Sequence, residues 1–183
     1  MNNNTYTIKS LCIFLVMFLL GFAAGAKAQT IHQFDVAIYK EIARQTVGNI
    51  IKGTVNADEM IANMEKLLAL GKEGCAEHMN EAETPPVEAK LMKLALENAE
   101  KMISLSLEQI EEKWHEGGFP KSNGIDIEKF DHFSEVMSHY DSLVHPATAI
   151  ICLKEYKTTK NNDLLEQVKD ELAEVIEHLK HLE

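Results

Sequence analysis

The sequence predicts an all-α fold: an up-down four-helix-type bundle with an additional N-terminal helix, about five helices in all. Three observations carry this. Apolar residues recur at three- and four-residue spacing through nearly all of the chain after residue 30. Period-two alternation of useful length does not occur. Only four prolines and nine glycines punctuate 183 residues, of which 45% are hydrophobic and 26% charged. A chain of this size buries a core without needing cross-links to hold it.

The elements follow in order. Over 31–52, Phe34, Ile38, Ile42, Val47 and Ile51 form a helical stripe that Gly53 ends. Asn56 with Glu59 three residues on is a capping-box pattern opening a second helix to about residue 81. Met60, Met64, Leu67, Gly71, Cys75 and His78 lie along its inner face, where the two glycines Gly71 and Gly74 let a partner helix approach closely. Thr84-Pro85-Pro86 starts a third helix, which carries Leu91 through Trp114 and stops at Gly117-Gly118. A loop over 117–124 leads to Asp126, the expected cap of a fourth helix with Phe130, Phe133, Met137, Tyr140 and Val144 as its buried stripe. Pro146 is expected to kink that helix, and the apolar run 147–153 behind it to enter the core. Leu165, Val168, Leu172, Val175, Leu179 and Leu182 form the seam of the last helix.

Residues 1–28 read as a signal peptide and 29–183 as a single helical-bundle domain. Lys9 precedes an apolar run of 14 residues, Leu11 to Ala24, and Ala26-Lys27-Ala28 offers a cleavage site. That run falls short of the ~20 residues a span needs, and no second one follows, so no stable membrane span remains after cleavage. The expected location is periplasmic or secreted. Cleavage leaves 16 basic against 29 acidic side chains, a formal charge of −13 over 155 residues. This charge and a lone arginine, Arg44, argue against nucleic acid as a partner. No nucleophile stands in a recognisable turn and no glycine-rich phosphate cradle exists, so the reading is non-enzymatic.

The chemistry-bearing residues divide between two functions. Cys75 and Cys152 in an oxidising compartment are expected to form a disulfide closing a loop of 77 residues, worth roughly 4–5 kcal/mol in the chain-entropy picture. The competing use is a metal pair of Cys75 with His78, one turn apart. His132, Glu135 and His139 fall opposite the apolar stripe, on a face expected to be solvated, whereas His145 beside Pro146 is expected to point inward. Further metal candidates are therefore His78, His132, His139 and His145. Glu174, Glu177, His178 and His181 are expected on the solvated surface. Trp114, His115 and Phe119 at a helix end are the expected partner-binding anchors. The sequence function is thus an exported accessory protein docking on another exported protein with a basic surface, with no cofactor. The alternative is a bundle binding copper, zinc or non-covalent haem. Covalent haem attachment is ruled out by the lack of C-x-x-C-H, but Met60 or Met64 with His78, His145 or His178 supplies an axial pair. Architecture and compartment, though no motif, resemble those of the four-helix haem cytochromes.

Overall fold

The computed structural model describes residues 34–182; the expected signal segment and His32 lie outside them. The described residues are all-α, with seven helices: α1 (Val36–Ile51), α2 (Ala57–Met79), α3 (Pro86–Met102), α4 (Leu107–Ile110), α5 (Gly118–Ser122), α6 (Glu135–Thr159) and α7 (Asp163–His178). The helix starts follow capping chemistry. The Asp35 carboxylate accepts from the Ile38 amide at 2.9 Å, and Asn56 accepts from Glu59 at 3.4 Å. Pro86 opens α3 at a position whose amide has no helical acceptor.

The third helix is shorter than its periodicity suggests. Ser106 opens a new helix with a full capping box: its hydroxyl accepts from the Gln109 amide while the Gln109 side chain accepts from the Ser106 amide. That local satisfaction outweighs continuing α3. α4 then passes into a π-turn over Glu111–His115, ended by Gly117 at φ 72°. The expected loop 117–124 contains α5. The fourth long helix begins at Glu135 rather than beside Asp126, which opens only a 3-10 turn over Ile127–Lys129.

α6 is the axle of the fold. It packs against α2, α7 and α3, while α1 packs on α7 and α2. Every residue from Val136 to Leu153 is buried, so α6 has no solvated face over five turns. The expected burial of Ala147, Ala149 and Ile150 holds, each at 0% exposure. The helix carries Pro146 within its span and continues on both sides of it.

α2 comes close to α6 because of its glycines. A Cβ on Gly71 would sit on the Ser142 carbonyl, and one on Gly74 would lie 2.9 Å from His139 Nδ1. The same packing overturns the expected disulfide. Cys75 faces His139 on α6, donating its thiol to the His139 carbonyl at 3.1 Å. Cys152 lies thirteen residues further along α6, about 20 Å at 1.5 Å per residue, and both cysteines are free and buried. Proline does not bend the helix back far enough to bring them together.

Candidate metal centre

A helix with no solvated face must satisfy its polar side chains against its neighbours. Within the buried part of α6 these are Ser138, His139, Asp141, Ser142, His145 and Thr148. The hydroxyls are settled by backbone carbonyls: Ser138 to Ser134 and His178, Ser142 to His139, and Thr148 to Val144. His139, Asp141 and His145 need partners from other elements. Those partners are other imidazoles and carboxylates.

Between α6 and α7 the groups form a chain. His145 Nδ1 lies 2.7 Å from Glu171 Oε2, and His115 Nε2 lies 3.6 Å from the same oxygen. The Thr148 hydroxyl spends its proton on Val144, so in its 2.9 Å contact with His115 it accepts, which places the His115 proton on Nε2. On the other side of His145, Asp141 Oδ1 is 4.0 Å from Nε2. Asp141 Oδ2 is 2.6 Å from His178 Nδ1, an ion-pair contact that is not aligned as a hydrogen bond. His178 Nε2 meets His132 Nε2 at 3.2 Å, with Glu174 beside them. Two ligand sets result, His115–His145–Glu171 and His132–Glu174–His178, each with donor atoms within 4.8 Å of one another. Asp141 joins them.

Burial and charge set the chemistry here. Asp141 and Glu171 are only 7% and 8% exposed, and their ion partners are imidazoles. Burial works to lower the His145 pKa, but the Glu171 hydrogen bond and the charges of Asp141, Glu171 and Glu174 outweigh it, and the pKa is raised. An open cleft of about 400 Å³ reaches both sets, lined by His115 and His132 with Glu116, Glu128 and apolar Ile127, Phe130 and Met137.

A third set lies where the C-terminal end of α2 meets the start of α6. His78 and His139 stack with ring centroids 5.1 Å apart, and Glu135 approaches both. Burial, then the neighbouring His78, lowers the His139 pKa to about 4, so its ring is neutral at pH 7.

The sequence candidates are thereby sorted. His78 and His139 come together, His132 pairs with His178, and His145 points inward as expected. The solvated reading of His139 and His178 is corrected: they are 5% and 1% exposed, because α6 is covered on every side. Cys75 belongs to none of these sets, since it is turned to a carbonyl and burial pushes its thiol pKa far up. Trp114 is not a free anchor. It is 3% exposed, packs at a tilt against Phe119 with ring centroids 5.0 Å apart, and its carbonyl accepts from the Tyr140 hydroxyl at 2.7 Å. His115 faces α6 for the same reason: the π-turn swings this segment inward. Met60 and Met64, the axial ligands a haem reading needs, are packed in the apolar core.

Sequence reasoning missed Asp141 and Glu171 as site residues, and it set Glu174 and His178 on the solvated surface, with His178 weighed only as a haem ligand. One signal was available. A helix apolar all round over 147–153 is central, so charged residues one or two turns before it face other helices rather than water. No protein-family model, curated protein or solved structure matches the chain.

Proposed function

We propose that this chain is an exported transition-metal-binding helical bundle whose centre lies between α6 and α7. The observation that carries the reading is the pair of buried carboxylates, Asp141 and Glu171, held among His115, His145, His178 and His132. Burying two carboxylates costs several kcal/mol each unless cations balance them. Imidazoles do so only while protonated, whereas a divalent ion does so at neutral pH, taking ring lone pairs as ligands once His145 gives up a proton and the His115 proton moves from Nε2 to Nδ1. The donor set is nitrogen and carboxylate oxygen without thiolate, which suits zinc, copper(II), nickel or iron rather than copper(I). Asp141 Oδ2, 2.6 Å from His178 Nδ1, sets a carboxylate behind the ring whose Nε2 meets His132. The cleft at His115 and His132 is the access path.

The acidity that suggested a basic protein partner supports this reading equally, since a formal charge of −13 after loss of 1–28 concentrates cations at the surface. Of the expected docking anchors, Trp114 is buried against Phe119 and Tyr140, which favours the metal reading over docking through that ring. The proposed role is binding, with no substrate turned over. Elemental analysis of the purified protein, after chelation and reloading with each of the four ions, tests it. Stoichiometric retention by the wild type, reduced by at least one equivalent in Glu171→Gln, is the expected result. A chelated protein that retains none of the four ions on desalting overturns the proposal.

A further inference from the structure

The set at the α2–α6 junction shares no ligand with the central one. His78 sits one residue from the end of α2, and Glu135 and His139 occupy successive turns at the start of α6. His78 Nε2 lies 3.1 Å from Glu88 Oε2. A carboxylate only accepts, so Nε2 carries the hydrogen, and in the neutral ring the lone pair is on Nδ1. That atom is buried and makes no hydrogen bond. Its nearest carboxylate oxygens are Glu81 at 3.4 Å and Glu135 at 3.9 Å. His139 is also buried, its Nε2 is 4.0 Å from the same Glu135 oxygen, and its Nδ1 likewise makes no hydrogen bond. An orphaned interior nitrogen is an uncommon expense, and His78 Nδ1 is one that faces Glu135, whereas His139 turns Nε2 to that carboxylate and Nδ1 to the Gly74 side. Here the rings stack and converge on one carboxylate at the molecular edge.

We infer that His78, His139 and Glu135 form a second, independent site for a divalent zinc-class cation, with Glu88 fixing the His78 ring. Three donors plus solvent is the coordination such an ion takes in an open site, and two imidazoles with one carboxylate is a recurring ligand set. Tetrahedral ligands ~2.0–2.2 Å from zinc stand ~3.3–3.6 Å apart. The donor atoms lie within 4.8 Å of one another. Glu135, whose side chain is 56% exposed, is free to swing towards the two rings. Glu81, 47% exposed, stands ready as a fourth ligand. Gly74 keeps this space open, since a Cβ there would press on the His139 ring and on Phe34 beside it.

The test is a Zn²⁺ titration of the purified protein followed by the ring nitrogen resonances of its histidines. The His78 and His139 signals are expected to shift together and saturate. In Glu135→Gln, a surface change that leaves helicity intact, they should need at least about tenfold more Zn²⁺. Glu88→Gln, which removes the orienting carboxylate but no ligand, should weaken the same two signals by roughly 10- to 100-fold. The His145 and His178 signals report the central site separately, so either site can fail while the other stands. His78 and His139 signals that stay fixed at millimolar Zn²⁺, or that respond identically in wild type and Glu135→Gln, overturn the inference.

Discussion

At the scale of single residues, Tyr39 shows how one hydroxyl repairs a break in the backbone. Pro146 has no N–H to give the carbonyl four residues earlier, which is that of Ser142. The Tyr39 hydroxyl donates to that carbonyl at 2.9 Å from a fully buried position on α1. Tyr39→Phe keeps the ring and strands the carbonyl, so it should cost about 1–3 kcal/mol. Urea unfolding measures this, and an unchanged midpoint would mean that another donor reaches Ser142. His139 makes a different prediction, about pH. Its folded pKa of about 4 lies below the ordinary 6.5, so between those values the unfolded chain binds the extra proton. Stability of the metal-free protein therefore falls as pH drops from 6.5 towards 4, by up to roughly 3 kcal/mol from this ring. His139→Gln should flatten that limb of a plot of melting temperature against pH. A limb of unchanged steepness would assign the acid sensitivity to other groups.

At the scale of elements, the glycines of α1 and α2 separate two roles that look alike in sequence. Gly48 has nothing within 4 Å of its missing Cβ, so Gly48→Ala should gain up to ~1 kcal/mol of helix propensity. Gly71 faces the Ser142 carbonyl, so Gly71→Ala must push α2 away from α6 and should lose about 1–3 kcal/mol. Parallel thermal melts check the opposite signs, and two gains would show that the α2–α6 contact is not tight. The close approach at Gly71 and Gly74 was legible, because glycines on an apolar helical face have few other uses. The Asn56 cap of α2 and the seam of α7 were legible for similarly local reasons, although Glu59 meets the Asn56 side chain rather than its backbone amide. The break between α3 and α4 was not, since Leu105 and Ile110 keep the apolar rhythm across it and only the Ser106–Gln109 cap marks the restart. The π-turn at Glu111–His115 also leaves no periodic trace, yet it ends on His115, whose ring meets Thr148. Helices were readable one at a time. That the half of α6 before Pro146 is as covered as the apolar run 147–153 was not read, and the misplacing of His139 and His178 follows from that.

At the scale of the whole molecule, the fold places negative charge in its interior although the chain already carries an excess of acid. Asp141 and Glu171 bring the self-repulsion inside, where His115, His145 and His178 oppose it. Such a centre trades stability of the metal-free state for affinity, and Glu171→Gln separates the two. Glutamine still accepts from His145 but removes one buried charge. The raised His145 pKa gives the wild type stability that is fully present below 6.5 and lost as pH rises through the folded value. In metal-free protein the substitution should therefore be destabilising at low pH and neutral or stabilising once pH exceeds that value. With a divalent ion the order reverses at high pH. Binding to the folded state alone adds about 2.7 kcal/mol at a hundredfold excess over the dissociation constant, and the variant should lose most of that gain. Calorimetric melts at pH 6 and pH 8.5, with chelator and with Zn²⁺, give the four values. If the wild type exceeds Glu171→Gln by the same margin in all four, Glu171 is a structural hydrogen-bond acceptor and the central carboxylates hold no metal.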